Sequence, residues 1–261
     1  MYVGNDAENA VDIFPLTGPN QKQIGTISTG PGPWGLSVDA NNSLYVANSG
    51  NGTVTVYPYG SSSPSMTYSK GVHEPLYPLA DSAGHVFVSG FSVISNHSRG
   101  YVFEYNTGTN IPIARARLGY ETDGIAEDGK GNLYAAFRRR TGPSSIAEFG
   151  PGLRNARRLR MTIDQPQGLV VDNAGNIVVV ESALDRIDVF PPGATTPSVT
   201  VSFPGSTPNL AQLTMQNSET TLWLSTEGGD VYSMPYPLTP STKPTEYERV
   251  PIFSNGIAVT H

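Results

Sequence analysis

The feature that most constrains this chain is an internal repeat. The segments PWGLSVDANNSLYVANSGNGTVTVYPYG from Pro33 and QPQGLVVDNAGNIVVVESALDRIDVFPPG from Gln165 share one plan. Each runs Pro-x-Gly, an alternating apolar strand ending in Asp, a turn, a second strand, a polar loop and a third strand. TDGIAEDGKGNLYAAF from Thr122 repeats the plan, and EPLYPLADSAGHVFVSG from Glu74 and TPNLAQLTMQNSETTLWLST from Thr207 follow it more loosely. A sixth copy is split: SNGIAVT ends at Thr260, and MYVGNDAENAVDIFPL begins at Met1. The residue after the Pro position marks the register in each copy: Trp34, Leu76, Asp123, Gln167, Asn209 and Asn255. Successive separations are 42, 47, 44, 42 and 46 residues, and passing from the last residue back to the first returns to Trp34 after 40. A repeat of this length that closes through the termini is that of a four-stranded β-propeller blade. A solenoid would show no circular closure and would need capping repeats.

The expectation is therefore an all-β, six-bladed β-propeller of four-stranded antiparallel blades, one domain over residues 1–261. Its blades start near 34, 76, 123, 167, 209 and 255, and the last is divided between the termini. In the fourth blade the strands A to D are expected near Gln167 to Asp172, Asn176 to Glu181, Arg186 to Phe190 and Ser198 to Phe203. Turns such as Asp172-Asn173-Ala174-Gly175-Asn176 place Gly and Asn where positive φ is needed. Pairing the C-terminal strand with the N-terminal strands removes a sheet edge that would otherwise stay open. The 28 Gly and 22 Pro suit many short strands joined by tight turns, and no long stretch has apolar residues at helical spacing. Trp34, Trp223 and most Tyr residues fall on strands and read mainly as packing between blades.

The formal net charge is -6, which offers no general nucleic-acid footprint, and no apolar run is long enough to span a bilayer. Ten of the sixteen Lys and Arg nevertheless fall between Arg115 and Arg160. There is no Cys, which excludes disulfides and thiolate metal sites. The start Met1-Tyr2-Val3 reads as a strand and not a leader. Localisation stays open, with a secreted or periplasmic location compatible with trimming of an N-terminal signal. A monomer is expected.

The pattern Pro-x-Gly-Leu-x-Val-Asp followed by Gly-Asn-Leu-Tyr-Val-x-Asn resembles NHL-repeat propellers and the gluconolactonase, regucalcin and paraoxonase-like (SMP-30/gluconolactonase-like) superfamily. The resemblance spans nearly the whole chain as architecture. It is specific for fold and weak for activity, because propellers host unrelated functions. In the gluconolactonase-like enzymes, carboxylates and asparagine amides at the starts of the inner strands hold one calcium ion. By position the resemblance implies Asp123, Gln167, Asn209 and Asn255 as metal ligands and Ca²⁺ as cofactor. A hard cation takes such oxygens. The family site has two carboxylates where this ring has one, so Glu181 or Glu227 would supply the missing charge. The alternative is a water-filled channel whose amides bond to one another and to water.

In an antiparallel meander the start of strand A, the end of strand B and the B–C loop share one face. That face gathers the register residues, polar on one arc and apolar at Trp34 and Leu76. The B–C loop of the third blade adds Arg138, Arg139 and Arg140, of which Arg138 and Arg140 are candidates to hold an anionic substrate. The insertion from Phe91 to Arg99 is expected to overhang the face as a lid carrying His97. Arg154 to Arg160 read as charge that protects an outer strand from edge pairing. Gly-x-Ser-x-Gly, P-loop, His-Glu-x-x-His and dinucleotide fingerprints are absent.

Two functions follow. One is a metal-assisted hydrolase of a small ester, lactone or phosphotriester, with Asp123, Glu181, Glu227 and His97 as catalytic candidates and Trp34 and Leu76 as an apolar wall. The other is a non-catalytic module binding protein, peptide or glycan, as many NHL propellers do. A lyase like the streptogramin-inactivating propellers is disfavoured because their His and Glu arrangement is not evident.

Overall fold

The computed structural model describes residues 1–16, 18, 19, 21–203, 209–216, 218–249 and 256–260. The described residues form six four-stranded antiparallel sheets in a ring. The split blade holds β1 (Tyr2–Asn5), β2 (Ala10–Ile13) and β3 (Gly25–Ser28). Blade 1 contains β4 (Pro33–Val38), β5 (Leu44–Asn48), β6 (Thr53–Tyr57) and β7 (Met66–Tyr68). Blade 2 contains β8 (Glu74–Ala80), β9 (His85–Ile94), β10 (His97–Asn106) and β11 (Pro112–Arg117). Blade 3 contains β12 (Glu121–Glu127), β13 (Leu133–Arg138), β14 (Ser145–Gly150) and β15 (Arg154–Arg158). Blade 4 contains β16 (Pro166–Val171), β17 (Ile177–Glu181), β18 (Arg186–Phe190) and β19 (Val199–Ser202), each within two residues of expectation. Blade 5 contains β20 (Leu210–Met215), β21 (Thr221–Thr226), β22 (Asp230–Pro235) and β23 (Thr245–Arg249). β24 (Ile257–Ala258) completes the split blade, pairing Ile257 with Val3 and Ala258 with Tyr2. The ring thus closes through its termini as the repeat predicts.

The second strands show why the ring packs. Successive side chains on a strand point to opposite faces, and here both faces meet a neighbouring blade. On β5, Leu44 and Val46 pack toward the split blade, while Tyr45 and Ala47 pack toward blade 2. On β17, Ile177 and Val179 face blade 3, and Val178 and Val180 face blade 5. These strands therefore read as nearly continuous apolar runs. Among the described residues the core is six clusters, one at each junction between blades. Trp223 belongs to the junction that closes the ring, edge-on to Tyr247.

The Asp ending each of four inner strands is used by its own turn. Asp39, Asp81 and Asp128 each accept the backbone N–H groups two and four residues on, and Asp172 accepts that of Asn176. Such turns let a short side chain satisfy backbone donors that the strands leave free.

The Pro-x-Gly segment is an irregularity between strands A and B, found in the five undivided blades. Its glycine lets one inner strand press against the next. A Cβ on Gly35 would lie 2.1 Å from Leu76 O, one on Gly124 2.2 Å from Gln167 O, and one on Gly256 2.5 Å from Trp34 O. This contact also defines the register physically. Gly168 meets Ala211 O, so Ala211, not Asn209, matches Gln167 in blade 5. Asn209 lies two residues earlier, before β20. The looser sequence plan of that copy, Leu-Ala-Gln in place of Pro-x-Gly, displaced the expected register.

The segment from Phe91 to Arg99 is not a loop lid. It continues β9 and β10 as a regular hairpin, with Ile94 opposite His97 and Ser95 and Asn96 in the turn at φ 51 and 60. Arg154–Arg158 form the outermost strand of blade 3 and are exposed throughout.

Candidate functional site

The starts of the inner strands and the ends of the second strands share one face, as the pairs Pro33–Asn48, Glu121–Arg138 and Pro166–Glu181 show. At the channel mouth on that face, Asp123 is buried and its Oδ2 lies 3.2 Å from Arg138 Nε. Arg138 Nη1 lies 3.5 Å from Glu121 Oε2, its cross-strand neighbour. One guanidinium therefore serves two carboxylates. Burial pushes the Asp123 carboxyl well above the usual carboxylate range, against the opposing pull of Arg138. Burial likewise raises Glu121, which Glu74 reinforces and Arg138 opposes.

Glu227 occupies the adjoining arc. It accepts from Gln167 Nε2 at 3.3 Å and from Asn209 Nδ2 at 2.7 Å, and its backbone N–H donates to Asn209 O. Three of the sequence candidates thus form one hydrogen-bonded group. Gln167 Oε1 is left buried without a partner, as is the hydroxyl of Tyr77. Burial and the nearby Asp123 keep the Tyr77 hydroxyl protonated, and Arg138, Glu227 and Glu121 also act on it.

The remaining candidates are distributed differently. Asn255 lies outside the described residues. Leu76 is 2% exposed and packs into the junction of blades 2 and 3, so it presents almost no wall to a ligand, whereas Trp34 is only partly covered there. Glu181 is committed inside blade 4, accepting from Asp164 N–H and Arg186, which also pairs with Asp188. His97 is exposed, with Nδ1 2.7 Å from Ser95 O. It lines a cleft of about 900 Å³ with Glu121, Arg138, Arg139 and Arg140. Arg138 joins this cleft to the mouth.

Sequence reading missed Tyr77 and Gln212. Both stand where four other blades have the Gly of Pro-x-Gly. Gln212 accepts from the N–H groups of Leu36 and Ile257 and donates to Leu36 O, tying blade 5 to blade 1 and to the closing strand. Their signal was present in the sequence as a missing glycine in the second and fifth copies.

The donor set fits calcium only in part. The unpartnered Gln167 Oε1 and the Asp123 carboxylate are suitable hard oxygens. Against them, Arg138 already holds Asp123, and the Gln167 and Asn209 amides turn N–H toward Glu227. No cluster of three or more His, Asp or Glu suited to a metal occurs among the described residues.

This fold and mouth define a six-bladed β-propeller. The NHL repeat profile matches residues 31–57, the first three strands of blade 1. No curated protein matches the chain in sequence. Among solved structures, a chain of the nidogen/laminin complex aligns with TM-score 0.74 and 15% identity, covering 98% of this chain and 96% of that one. Hydrazine synthase from Kuenenia stuttgartiensis aligns at TM-score 0.68 and 10% identity, over 90% and 80%. Regucalcin, a calcium-binding protein from Agrobacterium tumefaciens, aligns at 0.64 and 15%, over 88% and 78%. At these identities the likeness is one of fold.

Proposed function

We propose that the chain is a non-catalytic binding module whose channel mouth receives a basic or amide-bearing side chain of a protein or peptide. The observation that carries this reading is the arrangement around Arg138. Asp123 and Glu121 already share the Arg138 guanidinium, while Glu227 is held in place by two amides and has no ion-pair partner among the described residues. A preorganised carboxylate beside an unpartnered amide oxygen and a neutral phenol suits a ligand that donates several hydrogen bonds. The alignment with a chain of a nidogen/laminin complex supports protein binding as a use of this architecture.

The metal-assisted hydrolase is the second reading, favoured by the unpartnered Gln167 Oε1 and the buried Asp123 carboxyl at the same mouth. Arg138 weighs against it, because a fixed cation 3.2 Å from the Asp123 carboxylate opposes a second cation there.

Two measurements separate the readings. Selection from a random hexapeptide library is expected to enrich Lys, Arg, Asn or Gln at one position, with about tenfold weaker binding for Glu227→Gln. Thermal melting in calcium chloride is expected to match melting in chelator. A calcium-dependent rise that Asp123→Ala abolishes, together with chelator-sensitive hydrolysis of an ester, lactone or phosphotriester, would overturn the binding-module reading.

A further inference from the structure

Blade 2 is built longer than its neighbour. β9 and β10 have ten residues each, whereas β5 and β6 of blade 1 have five. Blades pack face to face, so blade 1 covers only part of the face turned toward it. In the covered part, Tyr101 and Phe103 pack with Tyr45, Val54 and Val56. Outside it lies a groove of about 600 Å³, with the same two rings contributing to its floor and Ile94, Ile113, Arg99, Arg115 and Arg117 to its walls. Ile94 and Ile113 are 53% and 52% exposed. Isolated exposed apolar side chains are ordinary, but a cluster on one hairpin and its neighbouring edge strand marks a contact surface.

β11 is also the outermost strand of its blade. Leu118 N–H donates inward to Gly100 O, so the period of two turns the Ala116 amide inward as well and the N–H and C=O of Arg115 and Arg117 outward. Ile113, Arg115 and Arg117 follow one another on a single face at that same period. None of Arg99, Arg115 and Arg117 has an ion-pair partner among the described residues. The outer strand β15, exposed at every residue where β11 alternates, differs: it presents no large apolar side chain, and its Arg157 is paired with Glu148.

We infer that β11 accepts an extended acidic–apolar peptide segment as a fifth strand of blade 2. Backbone pairing supplies affinity, an apolar side chain lies against Ile113 and the aromatic floor, and Asp or Glu side chains two residues apart meet Arg115 and Arg117. Charge complementarity selects the acidic sequence, since three uncompensated guanidiniums border an apolar groove. This site lies on the outer edge of blade 2 and is independent of the channel mouth.

The test uses fluorescent peptides Ile-Thr-Glu-Thr-Glu and Glu-Thr-Glu-Thr-Ile, which cover both strand directions, with Lys-for-Glu counterparts. The acidic peptides are expected to bind the intact protein, more weakly as salt rises, and to slow amide exchange at Arg115 and Arg117. Arg115→Glu with Arg117→Glu should weaken acidic-peptide binding at least tenfold and admit the Lys peptides. If that variant does not melt like wild type, Arg115→Gln with Arg117→Gln serves for the loss of binding. Peptides N-methylated at alternate amides, made in both phases, should lose binding in one phase and retain it in the other. No binding of either acidic peptide, indifference to charge reversal, or equal affinity of both N-methylated phases overturns the inference.

Discussion

Asp123 shows how little a buried carboxyl can be judged apart from its partner. Its side chain is almost fully enclosed, and the guanidinium of Arg138 is the only cation in contact with it among the described residues. Arg138→Gln removes that cation from both Asp123 and Glu121 and should destabilise the fold by roughly 2–3 kcal/mol. Adding Asp123→Asn should recover part of the loss, because a neutral amide tolerates burial better; urea unfolding of the two variants measures this. Glu127, at the opposite end of the same strand, carries a pH dependence. Burial, helped by Asp81 and Asp128 and opposed by His85, pushes it up to about 7 from an ordinary value of 4.5. The folded state then holds the proton more tightly than the unfolded chain. The stability linked to it is full below 4.5 and is lost as pH rises through 7. Glu181, pushed up to about 7 chiefly by burial, acts in the same direction. Glu127→Gln should therefore flatten only part of the decline, by about 1 kcal/mol after solvent screening. Denaturant midpoints measured at about pH 5 and about pH 7.5 test it.

At the scale of elements, the inner strands carry more information than the Pro-x-Gly plan suggests. Gly35, Gly124, Gly168 and Gly256 permit backbone contact with the next blade, and each could be located from sequence. Gln212, in the equivalent place, instead bonds two other inner strands across the channel. Gln212→Ala leaves Leu36 N–H, Leu36 C=O and Ile257 N–H without that partner and should cost about 2–4 kcal/mol, read from chemical denaturation. The β9–β10 hairpin gives a prediction of opposite sign. Its turn residues Ser95 and Asn96 both have positive φ. Ser95→Asn with Asn96→Gly supplies residues suited to that turn and should stabilise by about 0.5–1 kcal/mol, raising the melting temperature.

At the scale of the whole molecule, closure is the decisive event. β24 is only two residues long, yet Ile257 and Val259 lie in the junction with Trp223 and Val231, and Ala258 packs against Tyr2. Deleting residues 254–261 exposes β1 as an inner edge and opens that junction. The truncated chain should aggregate or lose cooperative melting, and a soluble variant with a sharp transition would contradict closure by these strands. The repeat made six blades, the blade phase and the seam through the termini legible, because a period-two apolar pattern and glycine turns act locally and recur at a fixed interval. The same pattern placed Asp123 and Gln167 at one mouth. It misplaced Asn209 in register, and it did not reveal that Arg138 spans Asp123 and Glu121, that Glu181 is spent inside blade 4, or that blade 2 outgrows blade 1. Those facts depend on which side chains meet across the paired strands of a blade and, for the last, on how far neighbouring blades cover each other once the ring has closed. Blade number and strand order arise from short-range chemistry repeated along the chain. The pairing of charges at the mouth arises from side chains that meet across two strands of blade 3, and the uncovered groove from the unequal lengths of strands in neighbouring blades, both of which only the tertiary structure sets.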